Sequence, residues 1–131
     1  MKNVVNIFGQ NAGKIWTALN VYGPLSKDIL ISKTRIKEND FYTGLGWLAR
    51  ENKICKNGSK YELKETNLTE KIGVNAGKVW NVLNSQGDID ISTITKIAQI
   101  NKSDAYSALG WLAREDKIKA LKDKKINYGL K

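Results

Sequence analysis

An internal repeat is the feature that most constrains the fold of this chain. Residues 9–55 align with residues 73–119 at a constant offset of 64 without a gap, and 21 of the 47 pairs are identical. The blocks NAGK and LGWLARE occur letter for letter in both copies. A repeat of this kind predicts two copies of one structural unit.

The length of the repeat predicts how the chain is divided. We expect one unit at residues 1–64, a linker at residues 65–70 and a second unit at residues 71–131. The second copy carries three extra residues between Ile118 and Tyr128, and an insertion confined to one place favours a loop tip. A unit of about 60 residues has a marginal core, so we expect the two units to pack on each other.

The sequence of each unit indicates three helices. Asn11, with Asn75 in the second copy, is placed to cap the first helix, and Trp16 and Trp80 lie on its apolar face and are expected in the core. The β-branched segments that follow predict a short second helix, with a strand as the open alternative. Asn39 and Ser103 are placed to cap a third helix.

Two further patterns complete the unit. Phe41, Leu45 and Leu48 form an apolar stripe that pins the third helix to the core. Two short β segments then flank Asn57–Lys60, whose Asn-Gly pair is typical of a hairpin turn. The fold class is therefore mainly α with small β-hairpins (α+β).

The order helix, helix, turn, helix, hairpin is that of a winged helix-turn-helix. The pattern NAGK-[IV]-W-x-x-L-N, a glycine and then LGWLARE-x-K-I resembles a prokaryotic winged helix-turn-helix family of uncharacterised function. The resemblance covers nearly the whole chain twice, as a tandem duplication. It implies the fold and brings no activity with it.

Charge and composition bear on the function. The net charge of +9 suits nucleic acid, an anionic membrane or an acidic protein, with a solvated lysine-rich surface as the alternative. The chain has no histidine and one cysteine, and it lacks a glycine-rich phosphate loop. We therefore expect no enzyme activity, no metal site and no cofactor. The single cysteine, together with the lack of a secretory signal and of a membrane-spanning segment, favours the cytoplasm.

In such folds the third helix enters the major groove of DNA and the hairpin, or wing, contacts phosphates. Thr43, Gly46 and Arg50 lie opposite the apolar stripe. Arg50 and its counterpart Arg114 either contact nucleic acid or form a salt bridge with a nearby acidic residue. Lysines crowd both wings, either for phosphate contact or as a solvated edge. The candidate nucleic-acid-binding residues are Asn39, Thr43, Arg50, Lys53, Lys56, Lys60, Lys102, Ser103, Ser107, Arg114, Lys117, Lys119, Lys122, Lys124 and Lys125.

The third helix is nevertheless a poor base-reading surface. It has no arginine in its N-terminal half, where Glu38 and Asp40 repel phosphate. Trp47 and Trp111 lie off the core stripe and are expected to pack on the wing or on the neighbouring unit, with a partner surface as the alternative.

Together these observations predict a DNA-binding, transcription-regulator-like protein that makes mostly backbone contacts. The alternative is a protein-interaction module that uses the Gly-Trp surface of the third helices. The partners left open are double-stranded DNA and a protein, with no membrane, and the chain is expected as a monomer or a homodimer.

Overall fold

The computed structural model describes residues 2–131, which form six helices and seven short strands. The first half contains β1 (Lys2–Asn3), α1 (Asn6–Tyr22), β2 (Leu25–Ser26), α2 (Lys27–Thr34), α3 (Glu38–Arg50), β3 (Cys55–Asn57) and β4 (Lys60–Glu62). The second half contains α4 (Thr69–Gln86), β5 (Ile89–Asp90), α5 (Ile91–Ala98), α6 (Lys102–Arg114), β6 (Ile118–Lys122) and β7 (Ile126–Leu130). This order confirms the predicted winged helix-turn-helix arrangement in both copies.

The first helix of each unit is longer than predicted. Asn11 does not cap α1, which begins five residues earlier at Asn6, and its amide instead donates a 3.5 Å hydrogen bond to Oγ1 of Thr43 inside the protein. Asn75 is likewise buried within α4. The helices end at Gly23 and Gly87, whose φ angles of 80° and 78° suit glycine. Because α4 starts at Thr69, its first turn occupies the end of the predicted linker.

The β-branched segments form short helices and not strands. Ser26 Oγ accepts from the backbone N–H of Ile29 at the start of α2, and Asp90 Oδ1 accepts from that of Thr93 at the start of α5. These side-chain caps satisfy N–H groups that the first helical turn leaves free. The capping residues explain why weak helix formers adopt a helix here.

The third helices begin slightly earlier than predicted. Lys37 precedes the first turn of α3 without a capping side chain, and Asn101 caps α6 by accepting from the N–H of Asp104. Asn39 and Ser103 therefore lie inside the helices and do not cap them. The predicted apolar stripe of Phe41, Leu45 and Leu48 is buried, as expected.

Two small antiparallel sheets complete the fold. Their strand orders are β2-β4-β3 and β1-β6-β7-β5, and the hairpins β3–β4 and β6–β7 are the two wings. The wing of the second unit has five-residue strands where the first has three-residue strands. The inserted residues therefore lengthen the wing as well as its tip.

The N-terminal segment of each unit contacts the other unit. Strand β1 pairs with β6, with Lys2 opposite Lys122, and Val4 and Phe8 lie in the hydrophobic core of the second unit. In return, Asn67 forms two hydrogen bonds with the backbone of Lys56 in the first wing, and Ile72 lies in the core of the first unit. The two units are thus intertwined, as well as packed side by side.

Candidate nucleic-acid interface

The outer faces of the third helices are packed against each other. A Cβ atom built on Gly46 of α3 would collide with the backbone carbonyl oxygen of Ser107 in α6, and one built on Gly110 would collide with that of Thr43. Only glycine permits such a close approach of two helix backbones. The face of each third helix that carries Thr43 and Gly46, or Ser107 and Gly110, is therefore covered within the chain, whereas the N-terminal ends of these helices, which lead into the major groove in DNA-binding proteins of this fold, stay exposed.

Thr43 and Ser107 do not occupy the exposed positions that the sequence predicted for them. Their exposed fractions are 2% and 5%, because both lie in the contact between α3 and α6. Thr43 Oγ1 also donates to the carbonyl oxygen of Asp40. Neither side chain is available to nucleic acid in this arrangement.

Arg50 and Arg114 form reciprocal ion pairs across the same contact. Nε of Arg50 lies 3.1 Å from Oε2 of Glu115, and Nε of Arg114 lies 3.0 Å from Oε2 of Glu51. Each guanidinium also lies near a tryptophan ring of the other unit, Arg50 at 5.7 Å from Trp111 and Arg114 at 5.9 Å from the equivalent ring. Of the two roles that the sequence left open for these arginines, the structure shows the salt bridge.

Trp47 and Trp111 are partly buried between the two units. Each packs against both hydrophobic cores, and each lies over a glycine of the first helix of its own unit, Gly9 or Gly73. The structure places these rings in the packing role that the sequence favoured. The Gly-Trp surface proposed for a protein partner is occupied here by the other unit.

The remaining candidates on the third helices lie at their N-termini. Asn39 and Lys102 are exposed, and Ser103 Oγ donates to Oδ1 of Asn101 at 2.7 Å. Asn39 lines a cleft of about 290 Å³ between the first unit and the second wing, together with Lys37, Asp40 and Lys122. These positions remain accessible, although the carboxylate of Asp40 opposes an anion there.

Several wing lysines are engaged in ion pairs. Lys53 and Lys117 lie 3.6 and 3.5 Å from the glutamates of the LGWLARE blocks, Glu51 and Glu115. The remaining pairs within 4 Å on the second wing are Lys119 with Asp88 and Lys125 with Asp90. Asp88 and Asp90 each offset one lysine, whereas Glu51 and Glu115 are each shared between a lysine and an arginine of the other unit.

Four other wing lysines have no such partner. Lys56, Lys60, Lys122 and Lys124 are exposed, and none forms an ion pair with any residue in the range 2–131. We call these four residues the free wing lysines. Lys2, which the sequence did not single out, lies opposite Lys122 in the β1–β6 pair.

Metal-ligating groups and the single thiol can be located in the described part of the chain. No group of histidine, cysteine, aspartate or glutamate residues within 2–131 is arranged to hold a metal ion. Burial raises the pKa of the Cys55 thiol, which disfavours the reactive thiolate. Within the same residues no helix combines the length and the apolar character needed to cross a membrane.

Comparison with known proteins agrees with the fold. A family model described as "Winged helix-turn-helix domain (DUF2582)" matches residues 1–67 and again residues 67–128. The chain is also similar to "Uncharacterized protein MJ1608" of Methanocaldococcus jannaschii, with 47% identity over 58 residues that cover 42% of this chain and 81% of that protein. No solved structure gives a significant match. The protein therefore belongs to this winged helix-turn-helix family and carries its domain twice.

Proposed function

We propose that the protein binds double-stranded DNA through its wings, by contacts to the phosphate backbone and without reading bases. The observation that carries this proposal is the set of free wing lysines: Lys56, Lys60, Lys122 and Lys124. Exposed lysines that form no ion pair within the protein release counterions from DNA when they bind phosphates, which favours association whatever the sequence.

The neighbourhood of the second wing supports the same proposal. Lys2 lies opposite Lys122 across β1 and β6, and Lys37 lines the same cleft as Lys122. Lysines from the N-terminal strand, the helix-turn-helix and the wing thus lie close together and outnumber the carboxylate of Asp40 in the same cleft. A local excess of one charge attracts a polyanion more strongly than the same charges spread over the surface.

The covered third helices explain why the contacts are proposed for the backbone. Thr43 and Ser107 are buried, and the arginines are held by Glu51 and Glu115. Specific reading of the major groove relies on bidentate arginine, asparagine or glutamine contacts to base edges. Asn39 and Lys102 remain exposed, and one asparagine is too little to select a sequence, so both are proposed to contact phosphates. The proposal includes a non-enzymatic, transcription-regulator-like role in the cytoplasm.

A binding assay with charge-matched variants tests this proposal. Fluorescence anisotropy of a labelled random duplex of about 20 base pairs reports binding at moderate salt. We expect the double change Lys122→Gln/Lys124→Gln to weaken binding about tenfold, since two phosphate contacts are removed.

The control is Lys33→Gln/Lys96→Gln, which removes the same charge from exposed positions on α2 and α5. It should weaken binding much less than the wing variant. Equal losses in both variants would mean that net charge, and not the wing, drives binding. A duplex that does not bind at all at low salt would refute the proposal.

A further inference from the structure

Each unit contains a small cleft beside its first helix that none of the free wing lysines lines. The cleft of the first unit is lined by Gly9, Gly13, Trp16, Trp47 and Glu51, among others. The cleft of the second unit is lined by the equivalent residues at an offset of 64: Gly73, Gly77, Trp80, Trp111 and Glu115. The volumes are about 250 and 360 Å³. We call them the twin clefts.

The twin clefts have diverged less than the rest of the repeat. Nine residues line each cleft at equivalent positions, and eight of the nine pairs are identical, the exception being Thr17 and Asn81. Across the aligned 47 pairs, by contrast, only 21 are identical. The two units therefore share the cleft more closely than they share their overall sequence.

The packing of the protein explains only some of the residues that are identical in the two clefts. Gly9 is explained, because a Cβ there would lie 3.0 Å from the ring of Trp47. A Cβ on Gly13 or Gly77 would have no atom within 4 Å, and glycine is among the least favourable residues in a helix interior. Both units thus keep an open floor in the cleft at the expense of helix stability.

Aromatic surface borders this open floor. Trp16 lies three residues after Gly13 on the same side of α1, and 40% of its surface is exposed. Trp80 occupies the same place beside Gly77 and is partly exposed. A large aromatic side chain is usually buried, so an exposed one beside a glycine floor offers a surface for stacking a flat ring.

The charges around each cleft favour an anionic ligand over a cationic one. The carboxylate of Glu51 is already paired with Arg114 and with Lys53, at 3.0 and 3.6 Å. Two positive charges, one of them on Lys53, which lines the cleft, therefore surround this single carboxylate. Lys117 and Arg50 repeat this arrangement around Glu115 in the second unit.

We propose that each twin cleft binds one unpaired base of a single-stranded nucleic acid. The base stacks on Trp16 or Trp80 above the glycine floor, and the neighbouring phosphates contact Lys53 or Lys117, which line the clefts. Stacking on aromatic side chains beside a basic surface is a common way of binding a single strand without sequence preference. This assignment rests on the nucleic-acid binding proposed above and extends it to an unpaired strand.

Tryptophan fluorescence tests the proposal directly. All four tryptophans of the chain line the twin clefts, so their emission reports on these sites. We expect an oligothymidylate of about 12 nucleotides to quench this emission on binding to the full chain. Thymidine monophosphate at the same nucleotide concentration should have little effect.

A variant that fills the clefts supplies the decisive comparison. Gly13→Leu/Gly77→Leu places side chains in space that the fold leaves empty and replaces glycine by a better helix former. It should be at least as stable as the parent and bind the oligonucleotide about tenfold more weakly. The matched control is Asn20→Leu/Asn84→Leu, on exposed positions of the same helices outside the clefts, which should bind normally.

The outcomes separate this proposal from that for the wings. Weaker binding of the oligonucleotide by the leucine variant, with duplex binding unchanged, supports the clefts. Equal oligonucleotide binding by Gly13→Leu/Gly77→Leu and by its control overturns the proposal. Binding of the oligonucleotide to the parent without quenching of the tryptophan emission overturns it as well. If thymidine monophosphate quenched the emission as strongly as the oligonucleotide, the clefts would be assigned to a free nucleotide. If poly-glutamate competed as well as an unlabelled oligonucleotide, they would be assigned to an acidic protein segment. Either result would overturn the proposal. Failure of the wing proposal would appear instead as loss of duplex binding.

Discussion

Gly46 in α3 lies so close to the carbonyl oxygen of Ser107 in α6 that the smallest side chain would not fit between them. Gly110 and Thr43 make the same contact in the opposite direction. Two glycines from the LGWLARE blocks therefore set the distance between the units. Their close approach also places the outer faces of the third helices in the contact between the two units.

This contact predicts a large effect of a small substitution. Gly46→Ala or Gly110→Ala should each lower the free energy of unfolding by about 1–3 kcal/mol or more, because the helix backbones must separate. Urea denaturation followed by circular dichroism measures the change.

Gly13→Ala and Gly77→Ala are the matched controls for the crossing. They make the same change inside a helix, at positions where a Cβ meets no atom. They should leave stability unchanged or raise it by up to about 1 kcal/mol, since alanine is the better helix former. Equal behaviour of the two pairs of variants would contradict the close crossing.

The reciprocal ion pairs across the crossing should contribute modestly. The side chains of Arg50 and Glu115 are 46% and 18% exposed, and partly exposed pairs contribute about 0.2–1 kcal/mol. A double-mutant cycle with Arg50→Ala and Glu115→Ala should give a coupling in this range that falls with added salt.

A second cycle provides the comparison for that coupling. Arg50 and Glu51 are adjacent in sequence, but the carboxylate of Glu51 pairs with Arg114 and Lys53. The cycle of Arg50→Ala with Glu51→Ala should therefore show a smaller coupling than the cycle across the units. A larger one would place the arginine in a different ion pair from that described.

Much of the fold can be predicted from local sequence patterns. The apolar stripe of Phe41, Leu45 and Leu48 has helical spacing, and the Asn57-Gly58 pair favours a tight turn, so the third helix and the wing were predicted correctly. The predicted capping residues were less accurate. Helix α1 begins before Asn11, because the residues that precede Asn11 continue the helix toward the other unit.

The contact between the units was harder to predict. Thr43 and Gly46 are small and not strongly apolar, so the periodicity of one helix assigned them to an exposed face. Burial of that face depends on a second helix with equally small residues, Ser107 and Gly110. The recurrence of small residues in both copies was the available signal, because small side chains permit close helix packing. The exposed position of Trp16 was missed for a similar reason: apolar spacing alone does not distinguish a core from a cleft wall.

The pH dependence of stability should contain a contribution from Asp90. Hydrogen bonds from Thr93 and the ion pair with Lys125 lower the pKa of this carboxyl group. Its stabilising effect is complete above the pKa of unfolded aspartate, about 3.9, and is lost as the pH falls from there toward the lower pKa of the folded state. Asp90→Asn should therefore be less stable than the parent at neutral pH.

That difference between the Asp90→Asn variant and the parent should shrink as the solution is acidified below about pH 4. Thermal unfolding across this range provides the measurement. Asp123→Asn, at an exposed position without an ion pair among residues 2–131, serves as the control. A stability difference for Asp90→Asn that stays constant with pH would show that the carboxylate charge does not stabilise the fold.

The most direct test of the account is the salt dependence of binding to two unrelated DNA duplexes. Backbone contact by the four free wing lysines predicts equal affinities for both sequences and a slope of about −3 to −4 in a plot of log K against log salt concentration. Lys122→Gln/Lys124→Gln should reduce the magnitude of that slope by about 2. A strong preference for one sequence would contradict the account, because it requires more base contacts than the exposed N-terminal ends of the third helices offer. A slope near zero would contradict it as well.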